Sequence, residues 1–316
     1  MSTADDTTRT IAGRYRLGPT LGAGAHSKTF DALDLTDGSA VVVRLLPSKF
    51  GEAAGFMRRF DEDMSAARDL VHPNIARIKD FGVERVGARS YPFVVSEQLA
   101  GGTLRGILDR GRKLSPSQAL IVGIDVCRGL AFAHSRGLVH GSVSPGNLIF
   151  GADRKVRIAD FGISHLMGLV AWSQPERVDV DVARYASPEQ AQGLPLDPRS
   201  DVYSLAITLV EAATGQVPFA ADTAVATLMA RVDRLMRVSA DLGDLALVLE
   251  RAGRPALADR YDATGFGKAL VAAAAHMPRP EPIPIVGFGR FGDTTANLPR
   301  ISDSTVIPEV STAAVG

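Results

Sequence analysis

Residues able to do chemistry cluster in a few short stretches of this 316-residue chain. Gly22 and Gly24 form a glycine pair in LGAGAHSKTF, and without Cβ atoms their backbone lets phosphate oxygens approach closely. The run His140-Gly141-Ser142-Val143-Ser144-Pro145-Gly146-Asn147 gathers an imidazole, two hydroxyls and an amide, and Asp160-Phe161-Gly162 adds a carboxylate. A neutral hydroxyl such as that of Ser142 is a very poor proton acceptor at pH 7, so the run holds no anionic base of its own. Arg44, closing Val41-Val42-Val43-Arg44, is a planar and permanent cation. Cys127, the single cysteine, falls on the apolar face of a helical stretch and reads as a core residue rather than a nucleophile. The six histidines show no metal-ligand spacing.

These stretches need elements to hold them. From Arg14 to about Val95 the sequence carries short β-rich runs, YRLGPTL, KTFDALDL, SAVVVRLL and YPFVV, with glycine-bearing turns between them. One helical stretch interrupts them, about Ala53 to Leu70, where Phe56, Phe60, Met64 and Ala67 recur at spacings of three or four. A small sheet with one helix is predicted over 14–98. After Gly101 and Gly102 the period turns helical, over 99–277. Ser115-Pro116-Ser117-Gln118 is a capping box with proline at the first helical position. It starts a long helix with Leu120, Ile124, Cys127 and Ala131 on one face, ending near His134 to Gly137. Another helix spans about Ser200 to Thr214, with Gly215 as its stop. The fold class is therefore α+β, a small β-rich lobe followed by a larger helical one. Residues 1–13 read as a flexible polar segment. Pro278 to Pro284, with four prolines in seven residues, reads as a stiff spacer that ends the globular part. Residues 285–316, with seven Ser/Thr and little aliphatic periodicity, read as a disordered tail.

Composition narrows the function classes. Hydrophobic residues make up 46% and charged residues 22%, enough apolar side chain for a large core. Lys+Arg and Asp+Glu both number 35, which removes the electrostatic argument for a dedicated nucleic-acid or anionic-membrane binder. MSTADDTTRT has no apolar signal core and no run approaches the roughly 20 apolar residues of a membrane span, so the expectation is a cytoplasmic chain.

Read in order, LGAGAHSKTF, AVVVRLL, HPNI, HGSVSPGNLIF, IADFG, ASPEQ and SDVYSL match in type and spacing the landmarks of eukaryotic-like Ser/Thr protein kinases. From about Arg14 to His276 the chain resembles the bacterial receptor-type members of that family. The resemblance implies a two-lobed, protein-kinase-like fold with nucleotide held between the lobes. It sets Gly22, Gly24 and Arg44 at the phosphates, Glu97 and Leu99 on the pocket backbone, Ser96 at the back cavity, and Asn147 and Asp160 at the magnesium-ligand positions. It also implies ion pairs between Arg44 and Asp63, or Glu62 one residue earlier, and between Glu189 and Arg260. Asp201 is implied to hold the His140-Gly141-Ser142 loop from below.

Departures from the family pattern are concentrated in one loop. Ser142 stands where the family has its catalytic Asp, Ser144 where it has a lysine directed at the γ-phosphate, and Gly141 where it commonly has Arg. Loss of a general base alone costs on the order of 10² to 10⁴ in rate. Arg44 stands in place of the β3 lysine, and this exchange is not conservative at a site shaped for a point charge, so Mg-ATP binding is expected to be weak or absent. Lys28 offers no substitute, because its neighbour Thr29 is the residue aligned with the adenine-covering position. Val182 removes a hydroxyl that normally contacts the catalytic Asp, and no threonine lies between Asp160 and Glu189. The expectation is a chain with no catalytic residues, not an enzyme but a pseudokinase scaffold. A nucleotide sensor and an atypical, weakly active Ser/Thr kinase are the alternatives. Trp172, at the end of the apolar Gly168–Trp172 stretch, reads as part of a packed-down loop rather than a partner surface.

The tail supplies the partner reading. Thr294, Thr295 and Thr305 are accessible to an active Ser/Thr kinase acting in trans, and a phosphate there offers charge-assisted acceptors. Forkhead-associated (FHA) domains read phosphothreonine largely through the phosphate and the third following residue, which for Thr295 is the apolar Leu298. Six lysines against 29 arginines fit a GC-rich, actinobacterial genome. With the altered loop, the chain resembles the pseudokinase domains attached to the peptidoglycan lipid II flippase of mycobacteria. That resemblance implies recruitment of an FHA-domain protein, regulation of cell-wall synthesis, tethering at the inner face of the cell membrane through segments outside this chain and, as in related kinases, a homodimer through the back of the small lobe.

Overall fold

A computed structural model describes residues 9–24, 27–172 and 178–287. Two compact units emerge. The first takes the described residues up to Val71 together with Arg77–Gln98, and the second takes His72–Ala76 and the chain from Leu99 onward.

In the first unit, β1 (Thr10–Ile11), β2 (Tyr15–Gly24), β3 (Ser27–Asp34), β4 (Ala40–Leu45), β5 (Ile78–Val86) and β6 (Arg89–Glu97) form one antiparallel sheet in the order β1-β2-β3-β4-β6-β5. Alternation along the strands sends Phe30, Ala32, Val41, Val43, Phe93 and Val95 to one apolar face. Thr10 and Ile11, assigned from sequence to a flexible segment, instead pair with Arg16 and Tyr15, because Ile11 and Tyr15 are themselves core residues. Helix α1 (Ser48–Gly51) and helix α2 (Ala54–Arg68) follow β4. Phe56, Phe60, Met64 and Ala67 are the buried stripe of α2, and the Phe60 ring meets Phe81 of β5 edge-on at 6.0 Å.

The second unit is built around α8 (Pro198–Thr214), whose residues from Ser200 to Ala212 are buried. Asp197 caps its start and Gly215, at φ 77, ends it in the left-handed conformation that glycine adopts without a Cβ clash. Helix α4 (Pro116–His134) begins at the Ser115/Gln118 capping box and packs on α8 and on α11 (Ala263–Ala274). Gly123 permits this approach, since a Cβ there would come within 2.8 Å of both Leu209 and Leu270. Smaller elements complete the unit: α3 (Leu104–Leu108), the hairpin of β7 (Leu148–Phe150) and β8 (Val156–Ile158), α5 (Ile163–Trp172), α6 (Val180–Ala183), α7 (Pro188–Ala191), α9 (Ala224–Met229) and α10 (Asp244–Ala252).

The proline-rich segment does not stand off as a spacer. Gln118 donates its side-chain amide to the carbonyls of Glu281 and Pro282, Arg154 Nη1 donates to Ile283 O at 2.9 Å, and Val286 N–H donates to Gly101 O at 3.2 Å. Ile283 is buried. Proline carbonyls accept as well as any other, so a segment poor in donors is strapped down by donors from the unit beneath it.

Candidate functional site

The loop 140–147 is fixed from three sides within the second unit. Asp201, one turn into α8, accepts the backbone N–H of His140 at 2.9 Å and of Gly141 at 2.7 Å, and His134 Nε2 lies 2.8 Å from its Oδ2. Burial alone would raise the Asp201 pKa, but the hydrogen bonds from His134 and from the His140 backbone N–H outweigh it and hold the carboxyl below its usual range. His140 is fully buried, with Nε2 2.8 Å from Ala159 O while Nδ1 accepts the Ser142 N–H at 3.1 Å. This pair of bonds selects the neutral Nε2–H tautomer, and burial pushes the imidazole pKa down accordingly. From the far end of the loop, Asn147 Nδ2 donates to Ser142 O at 2.8 Å. His134 as a partner of Asp201 is the element that sequence reasoning missed; its signal was its place at the end of α4, facing the buried start of α8.

The segment from Asp160 to Glu189 meets the same loop. Asp160 is held at φ 67 and its carbonyl accepts from Ser164 as α5 begins. At the other end of the segment, Ser187 and Gln190 form a capping box at α7, and Gln190 Nε2 donates to Gly141 O at 2.9 Å. Glu189 and Arg260 are joined by two bonds of 2.8 and 2.9 Å. Tyr185 donates to Glu211 at 2.6 Å, and Arg105 bonds both the Tyr185 hydroxyl and Glu211. Trp172 ends α5 half-buried against Val178, Ala183, Ala186, Ala224 and Leu228. Cys127 is buried and its thiol pKa is pushed far up by that burial, which leaves it no nucleophilic role.

Between the loop and this segment opens a cleft of about 540 Å³. Ser142, Ser144 and Asn147 line it from the loop, Asp181, Val182 and Tyr185 from the segment, and Arg105 and Asp109 from α3 and its cap.

In the first unit, register sets Thr29 opposite both Gly22 and Arg44, so these three share a face of the sheet and Lys28 lies on the other. A Cβ at Gly22 would meet nothing within 4 Å. Arg44 Nη1 donates to Ser27 Oγ at 3.0 Å, and Asp63 lies on α2. Ser96 and Glu97 pair with Val42 and Val41, and the Glu97 carboxylate accepts the Arg77 N–H at 2.9 Å. In the second unit Leu99 packs with Ala76, Ala159 and Ile149. Thr294, Thr295 and Thr305 lie outside the described residues. Among the described residues no group of three or more His, Cys, Asp or Glu could hold a metal, and no helix is long and apolar enough to cross a membrane. Asn147 and Asp160 supply two hard oxygen donors, a number that suits magnesium, which keeps waters and phosphate oxygens as its remaining ligands.

A sheet carrying a glycine pair, a helical unit with an Asp201-anchored loop and a buried Glu189–Arg260 bridge define a protein kinase. The chain belongs to that family: its protein kinase domain model matches residues 15–252. A probable serine/threonine-protein kinase of Streptomyces coelicolor is 36% identical over 219 residues, 69% of this chain and 32% of that protein. The serine/threonine-protein kinase PknB of Mycobacterium tuberculosis is 36% identical over 216 residues, 68% of this chain and 34% of its own length. The chain thus spans about a third of the curated relatives it matches. Among solved structures, the kinase domain of M. tuberculosis PknI superposes with a TM-score of 0.66 at 26% identity, over 84% of this chain and 98% of that one. These relatives correct the expectation of a chain that is no enzyme: the proteins it matches are named as kinases. That expectation rested on a few positions, Ser142, Ser144 and Gly141 in the loop with Arg44 and Val182 outside it, whereas the family match extends over residues 15–252.

Proposed function

We propose that this chain is a serine/threonine protein kinase domain that transfers the γ-phosphoryl group of ATP slowly to a hydroxyl acceptor, and that it is itself a regulated docking element. The cleft beside Ser142 and Asn147 carries the reading, since it gives an acceptor side chain a place next to the family's catalytic loop. Phosphoryl transfer proceeds through a loose transition state that demands positioning and charge stabilisation more than proton removal. Family members turn over at about 1–100 s⁻¹, and a hydroxyl at Ser142 instead of a carboxylate lowers that by about 10² to 10⁴, to roughly 10⁻⁴–1 s⁻¹. Asn147 and Asp160 would hold magnesium, which neutralises charge on the phosphates. Gly22 leaves open space at the sheet face that also carries Arg44. His140, held neutral, and Asp201 keep the loop backbone in place.

Regulation is proposed to run through the tail. An active kinase in trans phosphorylates Thr295 foremost, with Thr294 and Thr305 as further sites, and an FHA-domain protein reads the phosphothreonine. Membrane tethering outside this chain and a role in peptidoglycan synthesis belong to the same proposal, supported by the resemblance of loop and tail to the flippase-attached domains. Labelled ATP incubated with magnesium, the purified chain and a generic substrate tests the catalytic part. Turnover above an Asp160→Ala control is expected, and turnover equal to that control refutes it.

A further inference from the structure

Slow transfer still has to send the acceptor's proton somewhere, and Ser142 is no base. Two carboxylates line the cleft that holds Ser142: Asp109 and Asp181. Asp109 caps the end of α3 beside Arg105, which is itself committed to Glu211 and Tyr185. Asp181 is placed differently. It stands in the first turn of α6, its side chain 78% exposed with Arg184 Nη1 2.6 Å from Oδ1. Its neighbours Val182, Arg184, Tyr185 and Ala186 line the same cleft. The segment is pinned to the loop by the Gln190 bond to Gly141 O, one residue from Ser142, and to the body of the unit by Arg231, which donates to Ala186 O.

We infer that Asp181 is the general base of this domain, supplied from the segment across the cleft in place of a loop carboxylate. The inference rests on the phosphotransfer reading above. In the step it performs, the acceptor hydroxyl oxygen bonds to the γ-phosphorus of the nucleoside triphosphate. The bond from that phosphorus to the bridging oxygen breaks, the diphosphate leaves with the electron pair, and the hydroxyl proton passes to the Asp181 carboxylate. Carboxylates are anionic acceptors at neutral pH and Arg184 keeps this one oriented. Because α6 is a single turn whose start is set by the Asp179 side chain bonding Asp181 N–H, the carboxylate is held by a local turn and not by a long element.

The test is a double-variant series on the full chain. Asp181→Asn should lower magnesium-dependent turnover at least tenfold while leaving the Mg-ATP-induced rise in melting temperature in place. Adding Ser142→Asp to that variant should restore turnover, because a loop carboxylate then takes the proton. A change of less than twofold in Asp181→Asn overturns the inference, as does loss of the melting shift together with turnover, or failure of Ser142→Asp to rescue. Silence of the unaltered chain against Asp160→Ala overturns the phosphotransfer reading itself and is recognised by the starting protein being inert.

Discussion

Replacing Arg260 by Met probes a buried ion pair of the second unit. Arg260 and Glu189 are 0% and 4% exposed and share two bonds of 2.8 and 2.9 Å. Arg260 also donates to the carbonyls of Arg254, Pro255 and Arg199, and its guanidinium lies 4.9 Å from the Tyr203 ring centroid. Burial alone would raise the Glu189 pKa; the Arg260 bonds reverse that and hold it low, so removing Arg260 leaves a buried anion without its partner. Breaking one side of such a pair costs about 3–5 kcal/mol. For a domain of this size each kcal/mol moves the melting temperature by about 2–4 °C, so Arg260→Met should melt roughly 6–20 °C lower. The double variant Arg260→Met/Glu189→Met removes both charges and should recover part of the loss, since apolar replacement of a whole buried pair is often close to neutral. Thermal and urea unfolding followed by circular dichroism at pH 7.5 read both numbers. A single variant losing under about 1 kcal/mol, or a double variant whose loss equals the sum of the two singles, would refute the reasoning.

Other outcomes follow from the same contacts. Arg44→Met should lower the melting temperature by several degrees if Arg44 pairs with Asp63 to keep α2 docked, and an unchanged melt would end that pairing. His140 is held neutral by burial, while in the unfolded chain it titrates near 6.5; below that pH the unfolded state binds a proton the folded state refuses. Stability should therefore fall as pH drops from about 6.5 toward 5.5, by up to about 1.4 kcal/mol per unit from this residue, and His140→Gln should flatten the slope in urea titrations at those pH values. Gly102, at φ 78, leaves room for the strap: a Cβ would lie 2.8 Å from Val286 Cγ2 and 3.0 Å from Gly287 O. Gly102→Ala should free the strap and speed hydrogen exchange of the Val286 N–H, which donates to Gly101 O; equal exchange rates would show that the strap does not depend on that glycine. After phosphorylation by an active kinase, FHA-domain capture should be lost in a Thr294/Thr295/Thr305 triple-alanine variant, and equal capture would remove the tail from the mechanism.

Much of this architecture is legible in residue spacing because the signals are local. The Ser115/Gln118 box and Gly215 mark helix ends through bonds made within a single turn, and the alternation of Phe30 with Ala32 marks a strand face. What escaped has long-range causes. Nothing in PRPEPIP announces that Gln118 and Arg154, more than a hundred residues away, will hold its carbonyls. The Gly168–Trp172 run reads as loop because a ten-residue helix, Ile163–Trp172, shows too few periods for its face to declare itself. The pairing of Glu189 with Arg260 was visible only through the family's landmarks, being 71 residues apart in sequence. Asp181 escaped notice because only the folded cleft puts it on the same lining as Ser142, 39 residues earlier in sequence (181 − 142).

The strap has a geometric consequence for whatever grips the tail. Its last described residue, Gly287, sits against Gly102, and Thr295 follows eight residues later (295 − 287). A chain reaches at most about 3.6 Å per residue, so the eight residues to Thr295 can span no more than roughly 29 Å, and the eighteen to Thr305 (305 − 287) no more than roughly 65 Å. If the tail is read as proposed, a partner taking Thr295 would be tethered by a leash less than half as long as one taking Thr305, and so at the higher effective concentration.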